Sequence, residues 1–105
     1  MANSKQKGNR HEREISHILQ DHGFNARRTN QYCGKTEESS DVIGLPGFHI
    51  ECKHYKTKAF DYKWHEQAKR DCKDNIPIVI HRTDRHENMV TMALDDFLKI
   101  IGDNK

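Results

Sequence analysis

Two carboxylates and a lysine lie close together in the sequence around a tight turn near the middle of the chain. Asp41 precedes the turn residues Leu45-Pro46-Gly47, and Glu51 and Lys53 follow them. Apolar residues alternate with others on both sides of the turn, which predicts two short antiparallel strands in a hairpin. Carboxylate oxygens beside a lysine suit a hard divalent cation and a negatively charged reacting group.

The length of the turn decides which side chains share a face of the hairpin. If the turn takes three residues, with Gly47 at positive φ, Asp41 lies directly opposite Glu51, and Lys53 joins them on the same face. A two-residue turn would instead place Asp41 across from Cys52. We favour the three-residue turn because it collects the charged residues on one face and leaves the other uncharged. The uncharged face is expected to point into a core, and it comprises Val42, Phe48, Ile50 and Cys52.

The predicted carboxylate pair needs a compensating charge. Two carboxylates about 5 Å apart across a strand pair repel each other, so a cation between them is the natural way to keep both ionised. Hard oxygen ligands without a thiolate favour Mg²⁺ or Mn²⁺. A lysine beside such an ion can stabilise charge on a phosphoryl group or orient an attacking water. Asp41, Glu51 and Lys53 are therefore candidate catalytic residues.

An aspartate followed ten residues later by Glu-x-Lys across a hairpin resembles the active-site motif of the PD-(D/E)XK nuclease superfamily. Here the motif consists of Asp41 and Glu51-Cys52-Lys53, with Ser40 where the family often has proline. The resemblance implies a Mg²⁺-dependent nuclease whose metal is held by Asp41, Glu51 and the backbone carbonyl of Cys52. It also implies that Gln67, on the inward side of the following helix, joins the site.

A helix is predicted over residues 9–22, where Ile15, Ile18 and Leu19 keep helical spacing. Glu12 lies three residues before Ile15 on the same stripe. A carboxylate on a buried helix face is costly without compensation, and the predicted metal would supply it, which makes Glu12 a third ligand. Alternatively, the first turn lies at the domain edge, where Glu12 stays hydrated and is favoured by the helix dipole.

The opening of the chain resembles that of the archaeal-type Holliday junction resolvases within the same superfamily. In that family a glycine precedes a helix bearing Glu-Arg-Glu, and a Gly-Phe pair leads into a first strand with an arginine near its end. The matching residues here are Gly8, Glu12-Arg13-Glu14, Gly23-Phe24 and Arg28. The resemblance implies that Glu12 is an acidic site residue and that Arg13 and Arg28 face phosphates. It also selects Arg28 over Arg27 as the inward residue, and Glu14 is assigned no role.

The order of the predicted elements fits an α/β fold, a small restriction-endonuclease-like core with a mixed β-sheet of about five strands flanked by helices. The order is helix, three strands, helix, two strands, helix. The predicted boundaries are a strand at 24–29, the hairpin at 40–53, a basic turn at 54–59, a helix at 61–74, strands at 76–80 and 89–94, and a helix from 95. We expect one nuclease domain over residues 1–105, with flexible tails at 1–8 and 102–105. A polar loop at 30–39 has no assigned role.

The composition indicates a small domain with a highly charged surface. The chain has 105 residues, of which 33% are hydrophobic and 32% charged, so the sheet can be covered only thinly. No apolar run approaches the ~20 residues of a membrane span, and no signal-peptide core follows the first methionine. We therefore expect a cytoplasmic protein, in the host cytoplasm if the chain comes from a phage. The three cysteines form no C-x-x-C pair, which argues against a disulfide framework.

Charge is unevenly distributed along the chain. Residues 1–35 and 53–73 each hold seven Lys/Arg against three Asp/Glu, whereas residues 36–52 hold four acidic residues and no basic one. An acidic centre flanked by basic segments suits a metal site within a phosphate-binding surface, although a solvated lysine-rich surface gives the same counts. The candidate DNA-contacting residues are Arg10, Arg13, Arg28, Lys56 and Lys58.

These features together predict a metal-dependent endodeoxyribonuclease that cuts branched DNA, such as a four-way junction. A restriction-type, nicking or single-strand-specific nuclease would use the same chemistry, and a DNA-binding subunit that does not cut would keep the same fold. The eight histidines also invite a zinc or HNH-type interpretation. However, His49, His54, His65, His81 and His86 lack helical or knuckle spacing, and we interpret them as surface residues.

Paired cuts in a four-way junction predict a two-fold homodimer, because two symmetry-related sites are needed. The apolar surface for such contact is expected at an edge of the sheet or on the C-terminal helix. The candidate residues on that helix are Phe97, Leu98 and Ile101.

Overall fold

The computed structural model describes residues 4–29 and 40–103. Its elements are α1 (Ser4–Asp21), β1 (Arg27–Arg28), β2 (Val42–Ile43), β3 (Phe48–Tyr55), α2 (Tyr62–Asp71), β4 (Ile76–Thr83), β5 (Met89–Thr91) and α3 (Leu94–Asp103). The strands form one sheet in the order β1-β2-β3-β4-β5, in which β3 and β4 are parallel and the other neighbours antiparallel. The predicted α/β fold with a five-stranded mixed sheet is confirmed. Within the described ranges, no helix combines the length and apolar character that a membrane span requires.

The turn between β2 and β3 has the three-residue length that the sequence favoured. Val42 pairs with Ile50, and the Asp41 N–H donates to the Ile50 carbonyl at 2.8 Å. Gly47 takes φ +86°, the positive value that the residue after the proline needs in a type II turn. Extending this register by one residue brings Asp41 opposite Glu51.

A second glycine allows the hairpin to approach the segment before β1. Gly44 has φ +107°, and a Cβ placed there would collide with the Asn25 carbonyl oxygen and lie 2.5 Å from the Cα of Ala26. Glycine alone has both the required backbone freedom and the required absence of a side chain. The close packing of the hairpin on residues 25–26 therefore depends on Gly44.

The side chains of β3 alternate between an apolar face and a charged face of the sheet. Ile50 and Cys52 point to the face that α1 covers, where they belong to the hydrophobic core. The other buried members of that core are Ile15, Ala26, Val42, Ile78 and Ile80. The intervening residues His49, Glu51 and Lys53 point to the opposite face, because side chains alternate along a strand.

The helix α2 covers the charged face. Trp64 and Ala68 are its buried apolar residues, and the Trp64 ring stacks on Tyr55 of β3 with the ring centroids 5.3 Å apart. The Asp61 side chain caps the helix by accepting the N–H of Lys63 at 2.9 Å. The helix ends at Asp71 instead of continuing to residue 74, because the backbone turns left-handed at residue 73, with φ +52°.

The helix α1 is longer than predicted. It begins at Ser4 and continues through Gly8, whereas the sequence predicted a helix from residue 9 after a tail at residues 1–8. The Lys7 ammonium pairs with the Asp84 carboxylate at 3.1 Å and holds this part of the helix against the rest of the chain. One glycine costs a helix only about 1 kcal/mol, which such contacts offset.

The turn between β4 and β5 anchors the middle of α1. His11 is fully buried, and its Nε2 lies 2.8 Å from the Asn88 Oδ1. The Asn88 amide also donates to the Glu14 carboxylate at 2.7 Å. Glu14, which had no assigned role, therefore helps to fix the helical turn that carries Glu12.

Several other element boundaries differ from those predicted. The strand β1 is limited to two residues, whereas β3 and β4 continue to Tyr55 and Thr83, which pair with each other. The predicted basic turn at 54–59 consequently begins only after Tyr55, and β5 ends at Thr91. The helix α3 runs to Asp103 and so includes residues 102–103 of the predicted tail at 102–105.

We expect Gly44→Ala to destabilise the fold by more than about 2 kcal/mol, because it combines a positive φ with a collision against backbone atoms. Gly47→Ala is the matched control: its φ is also positive, but nothing lies within 4 Å of the added Cβ, so a loss of about 1 kcal/mol is expected. Urea unfolding of the two variants measures the difference. Equal losses would contradict the proposed role of the close approach at residues 25–26.

Candidate functional site

The predicted carboxylate pair forms a buried unit at the start of the hairpin. Asp41 and Glu51 are both buried, and the register of β2 against β3 places their side chains on the same face of the sheet. An Asp41 carboxylate oxygen, Oδ2, also accepts the backbone N–H of Cys52 at 2.8 Å, which holds it across β3. The hairpin register therefore places the two acids as the sequence predicted.

The electrostatics of this pair disfavour two full negative charges. Burial raises the pKa of Glu51 above its ordinary value, and the nearby Asp41 charge raises it further. A hydrogen bond from His49 and the charge of Lys53 act in the opposite direction and lower this pKa. Because desolvation is the largest of these effects, the folded chain holds Glu51 in a setting that favours its protonation or a bound cation.

Lys53 and Gln67 meet on the charged face of the sheet. The Lys53 ammonium donates to the Gln67 side-chain oxygen at 3.4 Å. Gln67 lies on the same side of α2 as the buried Ala68, and its amide limits where the lysine can point. The structure thus brings Gln67 of α2 beside Lys53, the lysine of the motif. Lys53 and Glu51 lie on the same face of β3.

Glu12 has Arg28 as a direct partner. The Arg28 Nε donates to the Glu12 carboxylate at 3.3 Å, and an Arg28 terminal nitrogen donates to the Asn9 side chain at 3.0 Å. The inward side chain of β1 is therefore Arg28, as the resemblance implied, whereas Arg27 is exposed. The sequence led us to expect a metal ion as the compensating charge for Glu12; in the structure an arginine supplies charge of that sign.

Two buried residues on the charged face were not predicted from the sequence. His49 and Asp71 join Glu51 in a group whose ligand atoms all lie within 4.8 Å of one another. Among the described residues, Glu12 and Asp41 are not members of this group of three. The interpretation of His49 as a surface residue was wrong, since the side chain is 3% exposed.

Simple spacing rules would have found both missed residues. His49 lies two residues before Glu51, so strand alternation puts the two side chains on one face. Asp71 lies four residues after Gln67, so helical spacing puts it on the inward side of α2. The surface interpretation was also wrong for His54, because its side chain is only 8% exposed.

The residues predicted to contact DNA are mostly exposed, and they belong to different elements of the fold. Arg10 and Arg13 line a shallow groove of about 390 Å³ along the outer surface of α1. Lys56 and Lys58 are exposed in the segment after β3, where Lys58 pairs with Asp61 at 3.4 Å. The polar loop at 30–39 lies outside the described residues.

The donor set at the carboxylate pair fits a divalent cation. Buried carboxylate oxygens from Asp41 and Glu51 come together without a thiolate, because the Cys52 side chain points into the core on the other face. This is an oxygen-ligand environment of the kind that Mg²⁺ and Mn²⁺ prefer. A cation there would also relieve the repulsion that raises the pKa of Glu51.

We expect Glu51→Gln to raise the melting temperature of the metal-free chain by a few degrees at neutral pH. A raised pKa in the folded state means that stability present at low pH is lost as the pH rises through that raised value, and glutamine cannot ionise. Thermal unfolding in EDTA measures this, with the exposed Glu87→Gln as the control. Added Mg²⁺ should stabilise the original chain and not the Glu51→Gln variant. A lower melting temperature for Glu51→Gln in EDTA would contradict the electrostatic account.

Comparisons with known proteins agree with the fold and the motif. The chain matches the family model described as "Phage putative PDDEXK endonuclease" over residues 3–105, and it matches no curated protein. One similar solved structure is that of Hjc, a Holliday junction resolvase from the archaeal hyperthermophile Archaeoglobus fulgidus. The TM-score is 0.61 at 20% identity, over 79% of this chain and 73% of that chain.

At this identity the likeness to Hjc shows a shared fold, and the family model shows membership. The PD-(D/E)XK motif and the resolvase-like fold that the sequence predicted are both confirmed. Since the family model spans nearly the whole chain, this protein belongs to the phage PDDEXK endonuclease family.

Proposed function

We propose that this chain is a metal-dependent endodeoxyribonuclease that cleaves branched DNA. The observation that carries the proposal is the buried Asp41–Glu51 pair, with Lys53 on the same strand face and Gln67 against the lysine. Mg²⁺ or Mn²⁺ would be held by these two carboxylates and the backbone carbonyl of Cys52. When bound, the ion supplies Lewis-acid polarisation of the scissile phosphate and lowers the pKa of a water molecule.

The protein side chains have separable tasks in this proposal. Lys53, positioned by Gln67, stabilises the charge that develops on the phosphoryl group or orients the attacking water. Glu12 would be a further acidic ligand for the metal, direct or water-mediated, and Arg28 holds its carboxylate in place. Hydrolysis forms a bond from the water oxygen to phosphorus and breaks one P–O bond to deoxyribose.

The choice of branched DNA rests on two further observations. The chain shares its fold with a protein that is itself a Holliday junction resolvase. The exposed side chains of Arg10, Arg13, Lys56 and Lys58 are available to contact phosphates, and phosphate contacts carry no sequence information directly. We place the activity in the cytoplasm of a phage-infected cell, since the family is a phage one.

The proposed function is tested by cleavage assays on a four-way junction, a flap, a duplex and a single strand of matched sequence. We expect paired cuts in the junction with Mg²⁺ and none in EDTA. Asp41→Asn should abolish cleavage while folding and DNA binding remain near normal, because asparagine keeps an oxygen that can accept the Cys52 N–H. Full activity in EDTA or in this variant would overturn the metal assignment. Preferential cutting of duplex or single strands would indicate a restriction-type, nicking or single-strand-specific nuclease. Binding without cutting would indicate a DNA-binding subunit.

We expect Lys53→Ala to lower the single-turnover rate by about 10²-fold or more with little change in DNA affinity, because the lysine acts on the transition state. Gln67→Ala should reduce the rate less, since Gln67 only restrains the lysine. Lys56→Ala is the matched control. It should weaken DNA binding and reduce the salt dependence of that binding, while the cleavage rate at saturation stays unchanged. A Lys53 variant that binds weakly but cuts normally at saturation would assign that lysine to backbone contact.

The helix α3 supports a homodimer as part of this proposal. None of its residues is buried, although Leu94 is 67%, Phe97 46%, Leu98 53% and Ile101 40% exposed. Met89 and Val90 on the edge strand β5 are exposed as well. A ten-residue helix is marginal without packing, and an apolar surface of this kind marks a contact site. A second copy is the occupant that would give the two symmetry-related sites that a junction needs.

Light scattering at micromolar concentration should therefore give a dimer. Leu98→Glu should convert it to a monomer, because a charge would be placed in the apolar contact, whereas the exposed neighbour Lys99→Glu should leave the dimer intact. A monomeric original chain, both with and without four-way junction DNA, would remove the resolvase assignment. It would leave a nicking or single-strand nuclease as the function.

A further inference from the structure

The charged face of the sheet carries a second set of metal-binding atoms beside the Asp41–Glu51 pair. The ligand atoms of His49, Glu51 and Asp71 lie within 4.8 Å of one another, and the three residues are 3%, 3% and 7% exposed. We infer that these residues hold a second divalent ion, a transition metal, and that Glu51 is shared with the first. The inference rests on the proposed function only through this shared Glu51.

Charge compensation is the first argument for a cation at this position. The His49–Glu51–Asp71 cluster and the adjacent Asp41 bring three carboxylates into one buried region. The only described salt bridge of Asp71 is to Arg70 Nε at 3.5 Å, and the Arg70 side chain is 67% exposed. Because the arginine in this pair is mostly exposed to solvent, the pair contributes little. A buried carboxylate needs a closer positive charge, and the imidazole of His49 offers a lone pair through which a metal ion can supply it.

The orientation of His49 is the second argument. Its Nδ1 lies 3.0 Å from the Ser40 hydroxyl, and its Nε2 faces the Glu51 carboxylate at 3.4 Å. Metal-binding histidines commonly donate their other ring N–H to a nearby acceptor, which fixes the ring and its tautomer. The Ser40 oxygen can be that acceptor when a metal occupies Nε2. Without metal the hydroxyl can donate to Nδ1, and Nε2–H then donates to Glu51.

This arrangement also accounts for a departure from the family motif. Ser40 occupies the position where PD-(D/E)XK nucleases often have proline, and proline has no hydroxyl to offer His49. The backbone N–H of Ile50 also donates to the Ser40 oxygen, at 3.4 Å, which holds the serine in place. Ser40 is therefore a positioning residue for His49.

The donor set selects the class of metal. One imidazole nitrogen and two carboxylates bind Mn²⁺, Co²⁺ or Zn²⁺ more readily than Mg²⁺, which prefers oxygen ligands and retains its waters. No thiolate contributes, because the nearby Cys52 side chain lies in the core on the other face. The Asp41–Glu51 position accepts Mg²⁺, whereas the His49–Asp71 position discriminates against it.

The experiment is Mn²⁺ titration of the full chain by calorimetry, with electron paramagnetic resonance to detect nitrogen coupling to the bound ion. We expect two Mn²⁺ ions to bind per chain, one of them with a coupled imidazole nitrogen. In a parallel titration with Mg²⁺, we expect only one ion to bind. His49→Ala and Asp71→Asn should each lose one Mn²⁺ together with the nitrogen signal. Asp41→Asn should keep that signal, and the exposed His17→Ala should change nothing.

Ser40→Ala provides a variant that keeps all proposed ligands. It should weaken the nitrogen-coupled ion by about 10–100-fold without altering Mg²⁺ binding. A single Mn²⁺ per chain without nitrogen coupling, or a nitrogen signal that survives His49→Ala, would overturn the second site and leave the nuclease proposal standing. Two Mn²⁺ with the expected nitrogen signal in a chain that cuts no DNA would support the second site and overturn the nuclease proposal.

Discussion

The register of β2 against β3 is the constraint on which the rest of the structure depends. Val42 pairs with Ile50, and the N–H of Asp41 bonds to the Ile50 carbonyl. A slip of one residue would exchange the two faces of the strand, sending Glu51 into the apolar core and Ile50 toward α2. Fully burying an isoleucine is worth about 1.5–3 kcal/mol, and burying an unpaired carboxylate costs more than that. The apolar face thus fixes the position of the acids.

The same register concentrates charge that the fold must tolerate. Glu51 lies close to both Asp41 and Asp71, and burial raises its pKa. Because these acids are buried, electrostatic interactions among them are stronger than at an exposed surface. Burial of these carboxylates therefore strengthens their mutual electrostatic interactions and disfavours their ionised forms.

Local rules explain what the sequence could predict and what it could not. One turn and strand alternation were enough to place Asp41 opposite Glu51. The same alternation places His49 beside Glu51, a relation that the spacing of the histidines along the chain does not reveal. The pairing of Arg28 with Glu12 has no local signal, because it depends on where α1 lies across the sheet.

The placement of Glu12 shows how a thin core is supplemented by polar contacts. Asp84, in the turn after β4, bonds both to Lys7 of α1 at 3.1 Å and to His54 of β3 at 2.7 Å. The Lys7 ammonium and the His54 ring hold the pKa of Asp84 below its ordinary value, so Asp84 is ionised at neutral pH. His54 adjoins Lys53 in the chain. One carboxylate therefore ties the helix that carries Glu12 to the strand that carries Glu51 and Lys53, and the geometry between these elements depends on a turn that contributes no ligand of its own.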